Sequence, residues 1–307
     1  MELLEGTVIA THGPLVRVQA QERTLVVACR RRLRWEGGTP EAPRVVVGDV
    51  VAVEMRRDQG VIVAVKPRRT SLLRRAASSS RPQILAANVD QALLVFAAAL
   101  PVPRQGLLDR FLVACSLADI TAVVVINKVD QGIEEVEGWL ATYTSLGYSV
   151  LLVSARTGRG LGEVKRRLAD RTTMFCGPSG AGKSSLLNAV YPGFRLKVGS
   201  ISEATGKGRH VTSRAELMPL PYGGFVVDTP GLKEFGVWEP SPEQLQEAFP
   251  EIQELAAACR FQNCSHLHEP DCPVRDAVAA GTIDPVRYRS YSNILNETTG
   301  DAPRGRG

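Results

Sequence analysis

Residues 174–190 read MFCGPSGAGKSSLLNAV. Within them Gly177-Pro178-Ser179-Gly180-Ala181-Gly182-Lys183-Ser184-Ser185 fits the pattern G-x-x-x-x-G-K-[ST] without a gap. No other stretch constrains the fold as strongly. The glycines let backbone N–H groups turn inward around phosphate oxygens, and the following helix adds its positive N-terminal end. That geometry needs a strand before the loop and a helix after it. MFCG and SLLNAV supply both, which a fortuitous glycine-rich turn would lack. Lys183 is expected to reach the β- and γ-phosphates of a nucleotide as a catalytic cation, and Ser184 to bind Mg²⁺.

The surrounding chain has the matching rhythm. VDQALLVFAA, TAVVVINKVD, SVLLVSA and TTMFCG are strand-like, and GLLDRFLVACSLA, EEVEGWLATYTSLG, GEVKRRLAD and KSSLLNAVY are helix-like. Alternation of this kind predicts a parallel sheet with helices on both faces. Asn127-Lys128-Val129-Asp130 follows the strand TAVVVI, so its side chains fall at a carboxyl end, where α/β ligands bind. A carboxylate at Asp130 can accept from guanine N1–H and from its 2-amino group. Adenine offers no such pair and would leave the carboxylate unpaired. Asn127 is expected to tie loops together and the Lys128 stem to lie along the base. Ser154-Ala155 resembles a loop whose backbone N–H contacts the guanine oxygen.

Asp228-Thr229-Pro230-Gly231 lies 45 residues beyond Lys183, after the strand-like GGFVVD. Asp228 would hold Mg²⁺ through water, and the Gly231 N–H would contact the γ-phosphate. The expected nucleotide contacts are therefore Asn127, Lys128, Val129, Asp130, Ser154, Ala155, Gly177, Pro178, Ser179, Gly180, Ala181, Gly182, Lys183, Ser184, Ser185 and Gly231. These loops resemble the signature set of GTPases, but in permuted order, with NKVD ahead of the phosphate loop. Chain ends of a compact domain commonly lie close together, so permutation can keep such a site intact.

ISEATGKGRHVTSRAEL (201–217) separates the phosphate loop from DTPG. A threonine here should complete the Mg²⁺ shell, Thr212 by analogy with the threonine-rich family segment, with Thr205 as rival. Leu232 stands where Ras-like enzymes place a water-orienting glutamine, and leucine cannot hydrogen-bond water. His210 is the polar substitute available as a catalytic group. Contact with RNA or solvent is the equal alternative for it.

Residues 1–68 read as five short strands, GTVIATH, LVRVQA, TLVVAC, VVVGDVVAVEM and GVIVAVK. They predict a small β-barrel of OB type, with an SH3-like barrel as the alternative. Residues 1–82 carry 15 Lys and Arg against 8 Asp and Glu, a net +7, whereas the whole chain is +5. A basic barrel suits a polyanion such as RNA; a solvated basic surface explains the charge alone equally well. The Ser- and Arg-rich stretch 69–88 reads as a linker. The GTPase segment then covers 89–235, and 236–307 turns helical.

In that last segment Cys259, Cys264, His266 and Cys272 fall within fourteen residues. Three thiolates and an imidazole suit a closed structural Zn²⁺ site, with His268 as a competitor for His266. Such a metal would fold a small helical domain that could not pack alone. No apolar run approaches the roughly 18 residues of a membrane span, and the N-terminus lacks a signal-peptide pattern. A cytoplasmic location without membrane contact is the resulting expectation.

The combination of a basic barrel, NKVD, GPSGAGKSS, GKGRHVTS, DTPGLKEFG and C-x4-C-x-H-x5-C resembles the RsgA (YjeQ) family of small ribosomal subunit-dependent GTPases over nearly the full length. The resemblance implies a circularly permuted GTPase between an OB-like barrel and a zinc-binding helical domain. It also implies binding to the 30S subunit and its rRNA, GTP hydrolysis stimulated by that subunit, and a role in its late maturation. One departure is Val211-Thr212-Ser213, where the family often has three threonines. A GTP-binding RNA scaffold without significant turnover is the rival function, and a monomer is the expected state.

Overall fold

A computed structural model describes residues 2–37, 44–56, 59–75, 82–194, 215–228 and 240–299. The first five strands are β1 (Glu2–His12), β2 (Leu15–Ala20), β3 (Arg23–Trp35), β4 (Val50–Arg56) and β5 (Gln59–Val65). They close into a barrel in the order β1-β2-β3-β5-β4, with β3 and β5 parallel. That order fits the OB-type Greek key expected from the sequence. Alternation drives closure: Val8, Val16, Val18, Val27, Val51, Val53 and Ile62 face inward and are almost wholly buried. β3 runs on past the expected TLVVAC: Arg30, Arg31 and Arg32 are all exposed at a register irregularity against β5, after which Leu33 and Trp35 return to the half-buried side.

The stretch expected to be a linker differs. β6 (Ser71–Arg75) and β7 (Pro82–Ala87) pair as an antiparallel ribbon. Leu72 and Ala86 are buried and join the core that also holds Ile9 and Val47 of the barrel region and Leu94 and Phe96 of the central sheet. Apolar Leu72 and Leu73 pair with Ala86 and Ile84, and polar Arg74 and Gln83 extend the same ladder. Val47 bridges Ala86 in parallel. Gly48 sits at φ +89°, where a Cβ would lie 1.9 Å from the Ala87 carbonyl oxygen. Only glycine permits that approach. Beside it, the fully buried Asp49 accepts from Arg68 Nε at 2.7 Å and Nη2 at 2.9 Å.

The central sheet is built from β8 (Gln91–Ala97), β9 (Thr121–Asn127), β10 (Ser149–Leu152), β11 (Thr172–Cys176), β12 (Glu216–Pro219) and β13 (Phe225–Asp228). Its order is β10-β9-β8-β11-β13-β12. All neighbours run parallel except β12, which pairs antiparallel with β13. Every residue of β8 is buried, as expected of a strand covered on both faces. The helices are α1 (Gln105–Leu117), α2 (Glu137–Ser145), α3 (Leu161–Leu168) and α4 (Lys183–Val190). The chain lays down β8, β9 and β10 in one direction, then returns to place β11 beside β8. The crevice at that reversal lies outside the carboxyl ends of the strands, which is where open α/β sheets bind ligands.

Four further helices follow, α5 (Pro242–Glu247), α6 (Pro250–Ala256), α7 (Pro273–Ala279) and α8 (Pro285–Thr299). Each opens on a proline, whose missing N–H costs nothing in the first turn. α5 adds a capping box between Ser241 and Gln244. Leu245, Phe249, Ile252, Val274, Tyr291 and Ile294 form their core with Val113 of α1. This unit is thereby seated on the central sheet's first helix. Among the described residues, no helix is long and apolar enough to cross a membrane.

Candidate functional site

The phosphate loop joins β11 to α4, in the strand–loop–helix setting the motif requires. Gly177, Gly180 and Gly182 have φ of 138°, 80° and 90°. At Gly182 a Cβ would come within 2.4 Å of Asn127 Nδ2. Lys183 and Ser184 are both buried. Lys183 Nζ donates to the carbonyl oxygens of Gly177 and Pro178, each at 2.9 Å, which holds the ammonium over its own loop.

Asn127, at the end of β9, is 1% exposed. Its Nδ2 donates to the Ala181 carbonyl at 3.0 Å, and its Oδ1 accepts from the Ala155 N–H at 3.2 Å. One side chain thus fastens the phosphate loop to the 154–155 loop. Lys128 turns into the left-handed region at φ 63° and donates from Nζ to the Leu100 carbonyl at 2.7 Å. Val129 is buried. Asp130 Oδ1 accepts from Ser154 Oγ at 2.5 Å, and Oδ2 accepts from Arg156 Nε at 2.8 Å and also from Arg156 Nη2. The Ser154 hydroxyl, then the Arg156 guanidinium, hold the Asp130 carboxyl below the usual carboxylate range. The expected residues of the NKVD, 154–155 and phosphate loops therefore meet at one place, on the carboxyl ends of β9, β10 and β11.

Asp228 ends β13, and Thr205, His210, Thr212 and Gly231 lie outside the described residues. Replacing Gly182 by alanine is expected to weaken guanine nucleotide binding more than tenfold. The left-handed backbone costs a non-glycine residue about 1–2 kcal/mol, and displacing Asn127 loses a further ~1 kcal/mol of hydrogen bonding. A fluorescent GDP titration reads this, and an unchanged affinity would remove the Asn127 clamp from the site.

The second cluster is Cys259, Cys264, His266 and Cys272, whose ligand atoms lie within 4.8 Å of one another. Cys272 Sγ is 3.8 Å from Cys264 Sγ and 3.9 Å from Cys259 Sγ. His266 Nδ1 is 3.5 Å from both Cys259 and Cys272 sulfurs. A tetrahedral ion at standard metal–ligand lengths places sulfurs about 3.8 Å apart and nitrogen about 3.6 Å from sulfur. The donor set fits a closed four-coordinate metal. Burial and the neighbouring sulfurs push the Cys259 thiol up to about 12, so thiolates here need a cation beside them. Burial also keeps His266 neutral, as a ligand must be. His266 Nε2 lies 3.1 Å from Gln246 Oε1, which fixes the ring with Nδ1 toward the sulfurs. His268 is not in the cluster.

Three contacts escaped sequence reasoning. Arg156 follows Ser154-Ala155 directly, but nothing in the motif announces its pairing with Asp130. Gln246 lies 20 residues before its histidine. Arg287 of α8, 1% exposed, donates to the fully buried Asp109 of α1 at 2.6 Å.

A permuted sheet with a phosphate loop at its reversal, and an Asn-Lys-x-Asp loop bolted onto it, defines a circularly permuted P-loop GTPase. Residues 65–238 match the family described as RsgA GTPase. Curated relatives named small ribosomal subunit biogenesis GTPase RsgA match nearly the whole chain. One, from Gemmatimonas aurantiaca, is 40% identical over 96% of this chain and 97% of its own. Another, from Moorella thermoacetica, is 41% identical over the same shares. Among solved structures, YjeQ from Thermotoga maritima superposes with a TM-score of 0.77 at 31% identity, covering 97% of this chain and 99% of its own. YloQ, described as a circularly permuted GTPase, gives 0.74 at 32% identity, covering 99% and 98%. The chain belongs to the RsgA GTPase family, and GTP hydrolysis is the activity of that family.

Proposed function

We propose that this protein binds GTP, hydrolyses it on the small ribosomal subunit, and so serves the late maturation of that subunit in the cytoplasm. The observation that carries the reading is the Asn127 side chain. Through it the guanine-reading loop, the phosphate loop and the 154–155 loop act as one nucleotide site. The relatives' names supply the subunit.

In this reading Asp130 recognises guanine, and Lys183 neutralises charge developing on the β- and γ-phosphates. Ser184, Thr212 and Asp228 would hold Mg²⁺, which would offset the negative charge of the phosphates, and the Gly231 N–H would meet the γ-phosphate. His210 supplies the polar group that Leu232 cannot. The metal of the Cys3His cluster is Zn²⁺, the usual ion for that donor set and spacing. The barrel (1–68) meets rRNA. Arg23, Arg30, Arg31, Arg32 and Arg34 are exposed along β3, and such a concentration of cations suits a phosphate backbone. Residues 89–235 carry the nucleotide and 236–307 the metal.

The test is GTP turnover with and without purified small subunits. Stimulation of at least about tenfold is expected, as for GTPases whose machinery a partner completes. It should be lost in Lys183→Ala, and in His210→Ala with GTP binding retained. Nucleotide binding without stimulated turnover would instead mark a GTP-binding RNA scaffold.

A further inference from the structure

Asp130 has a limited capacity, and it is nearly filled. A carboxylate offers about four acceptor positions, two on each oxygen. Oδ2 already takes two donors, Nε and Nη2 of Arg156. Oδ1 takes one, the Ser154 hydroxyl. At most one position is left, since the Asp130 backbone N–H also leans on its own carboxylate, whereas guanine brings two donors, N1–H and the 2-amino group. Guanine therefore cannot seat fully while Arg156 keeps both bonds.

We propose that Arg156 is a competing latch on the guanine-reading carboxylate, released when the base enters, and that it sets how strongly the site distinguishes guanine from purines with fewer donors. The inference rests on the reading of Asp130 as the base-recognition residue.

The two partners are built differently for this. Asp130 is held in place, with its side chain 10% exposed and Ser154 behind it. The Ser154 hydroxyl also accepts the Thr157 N–H at 3.1 Å, so its position is fixed by the loop. Arg156 is 73% exposed and can swing into water without leaving a buried charge. Release thus costs only what an exposed ion pair is worth. Ser154 does not need to move. In the absence of nucleotide the latch keeps a carboxylate that would otherwise face an empty base site paired and ionised. Hypoxanthine lacks the 2-amino group and brings a single donor on that edge, so it can use the remaining position without displacing Arg156.

Arg156 acts through Asp130, so the readout must be base-specific. The experiment measures the affinities of the full-length protein for GDP, IDP and ADP, in wild type, Arg156→Ala and Arg156→Lys, at low and high salt. Both guanine and hypoxanthine ligands carry the same diphosphate, so phosphate contacts cancel in the GDP-to-IDP ratio. Arg156→Ala is expected to tighten GDP roughly two- to fivefold, the range of an exposed ion pair, with IDP changed less. In wild type the ratio should rise with salt as the pair is screened; in Arg156→Ala it should not. Arg156→Lys, with a point charge and no fork, should fall between the two. An unchanged ratio in Arg156→Ala, or weaker GDP binding, overturns the latch. Failure of wild type to prefer GDP over ADP would instead overturn the reading of Asp130 and remove the latch with it.

Discussion

Stripping the metal from Cys259, Cys264, His266 and Cys272 is expected to unfold the C-terminal helices while the barrel and central sheet remain. The reason lies in how little else holds that unit. α5, α6 and α7 span six, seven and seven residues, too short to be stable alone. Cys264 and Cys272 are themselves part of the core that these helices share with Tyr291 and Ile294. The loop between the ligands also anchors α8: Tyr288 donates its hydroxyl to the His266 carbonyl at 2.6 Å, and Tyr291 to that of Ser265 at 3.3 Å. Losing the ion therefore frees the loop, then the α8 contacts, then the core. Structural zinc contributes on the order of 10 kcal/mol to folding in small domains, more than so small a unit can replace. Chelation, or Cys264→Ser, should remove much of the helical circular-dichroism signal and open 240–299 to protease. An unaltered spectrum after complete metal loss would show that packing alone suffices.

Arg287→Met should cost the protein about 3–5 kcal/mol, the usual loss when one member of a buried ion pair is removed. Arg287 lies at the centre of a buried network that joins the two units. It donates to Asp109 of α1 and to Glu251 of α6, by Nε at 2.7 Å and Nη2 at 3.1 Å. Its guanidinium sits 4.3 Å from the Phe249 ring centroid. Tyr143 of α2 donates to the same Asp109 oxygen at 2.5 Å. Without Arg287, Glu251 can turn toward solvent but Asp109 cannot. The expected signature is a fall in Tm on the order of 10 °C, at ~2–4 °C per kcal/mol for a domain of this size. Burial pushes the Asp109 carboxyl above its ordinary range, with Arg287 opposing. A carboxyl whose folded value is raised destabilises the fold as pH climbs through that value. The deficit in Arg287→Met should therefore be largest at neutral pH and shrink as the solution is acidified. The double variant Arg287→Met, Asp109→Leu should recover most of the loss, since apolar replacement of a buried pair is often neutral. No recovery would mean that the interface depends on shape rather than charge.

The parts of this molecule that were legible share a property: they are local. The phosphate loop is recognisable because its glycines, lysine and serine act within a single turn. NKVD is recognisable because a buried strand delivers it to the carboxyl end of the sheet. The three cysteines and the histidine of the metal cluster crowd into one loop. The alternation of apolar strands and amphipathic helices reported the parallel sheet for the same reason. The ribbon at 71–87 was hidden because polar composition around its connection outweighed two short apolar segments. Arg156 was hidden because its partner lies 26 residues earlier, across the end of a sheet. Arg287 and Asp109 are 178 residues apart, and nothing near either one marks it as buried.

By itself, the sequence determined the chemistry available to this protein: a phosphate cradle, a carboxylate expected to read guanine, a set of three cysteines and a histidine suited to a metal, and the order in which they are strung. It also indicated most of the strands and helices, the 71–87 ribbon excepted, since hydrophobic period and backbone-permissive residues act over a few positions. Only the tertiary structure decided which groups share a site. It set Asn127 across two loops, placed Arg156 on the carboxylate expected to read the base, and seated the metal-binding unit on α1 through a buried arginine. Those outcomes depend on chain crossings between elements far apart in sequence, where burial and the demand that every buried polar group find a partner choose the neighbours.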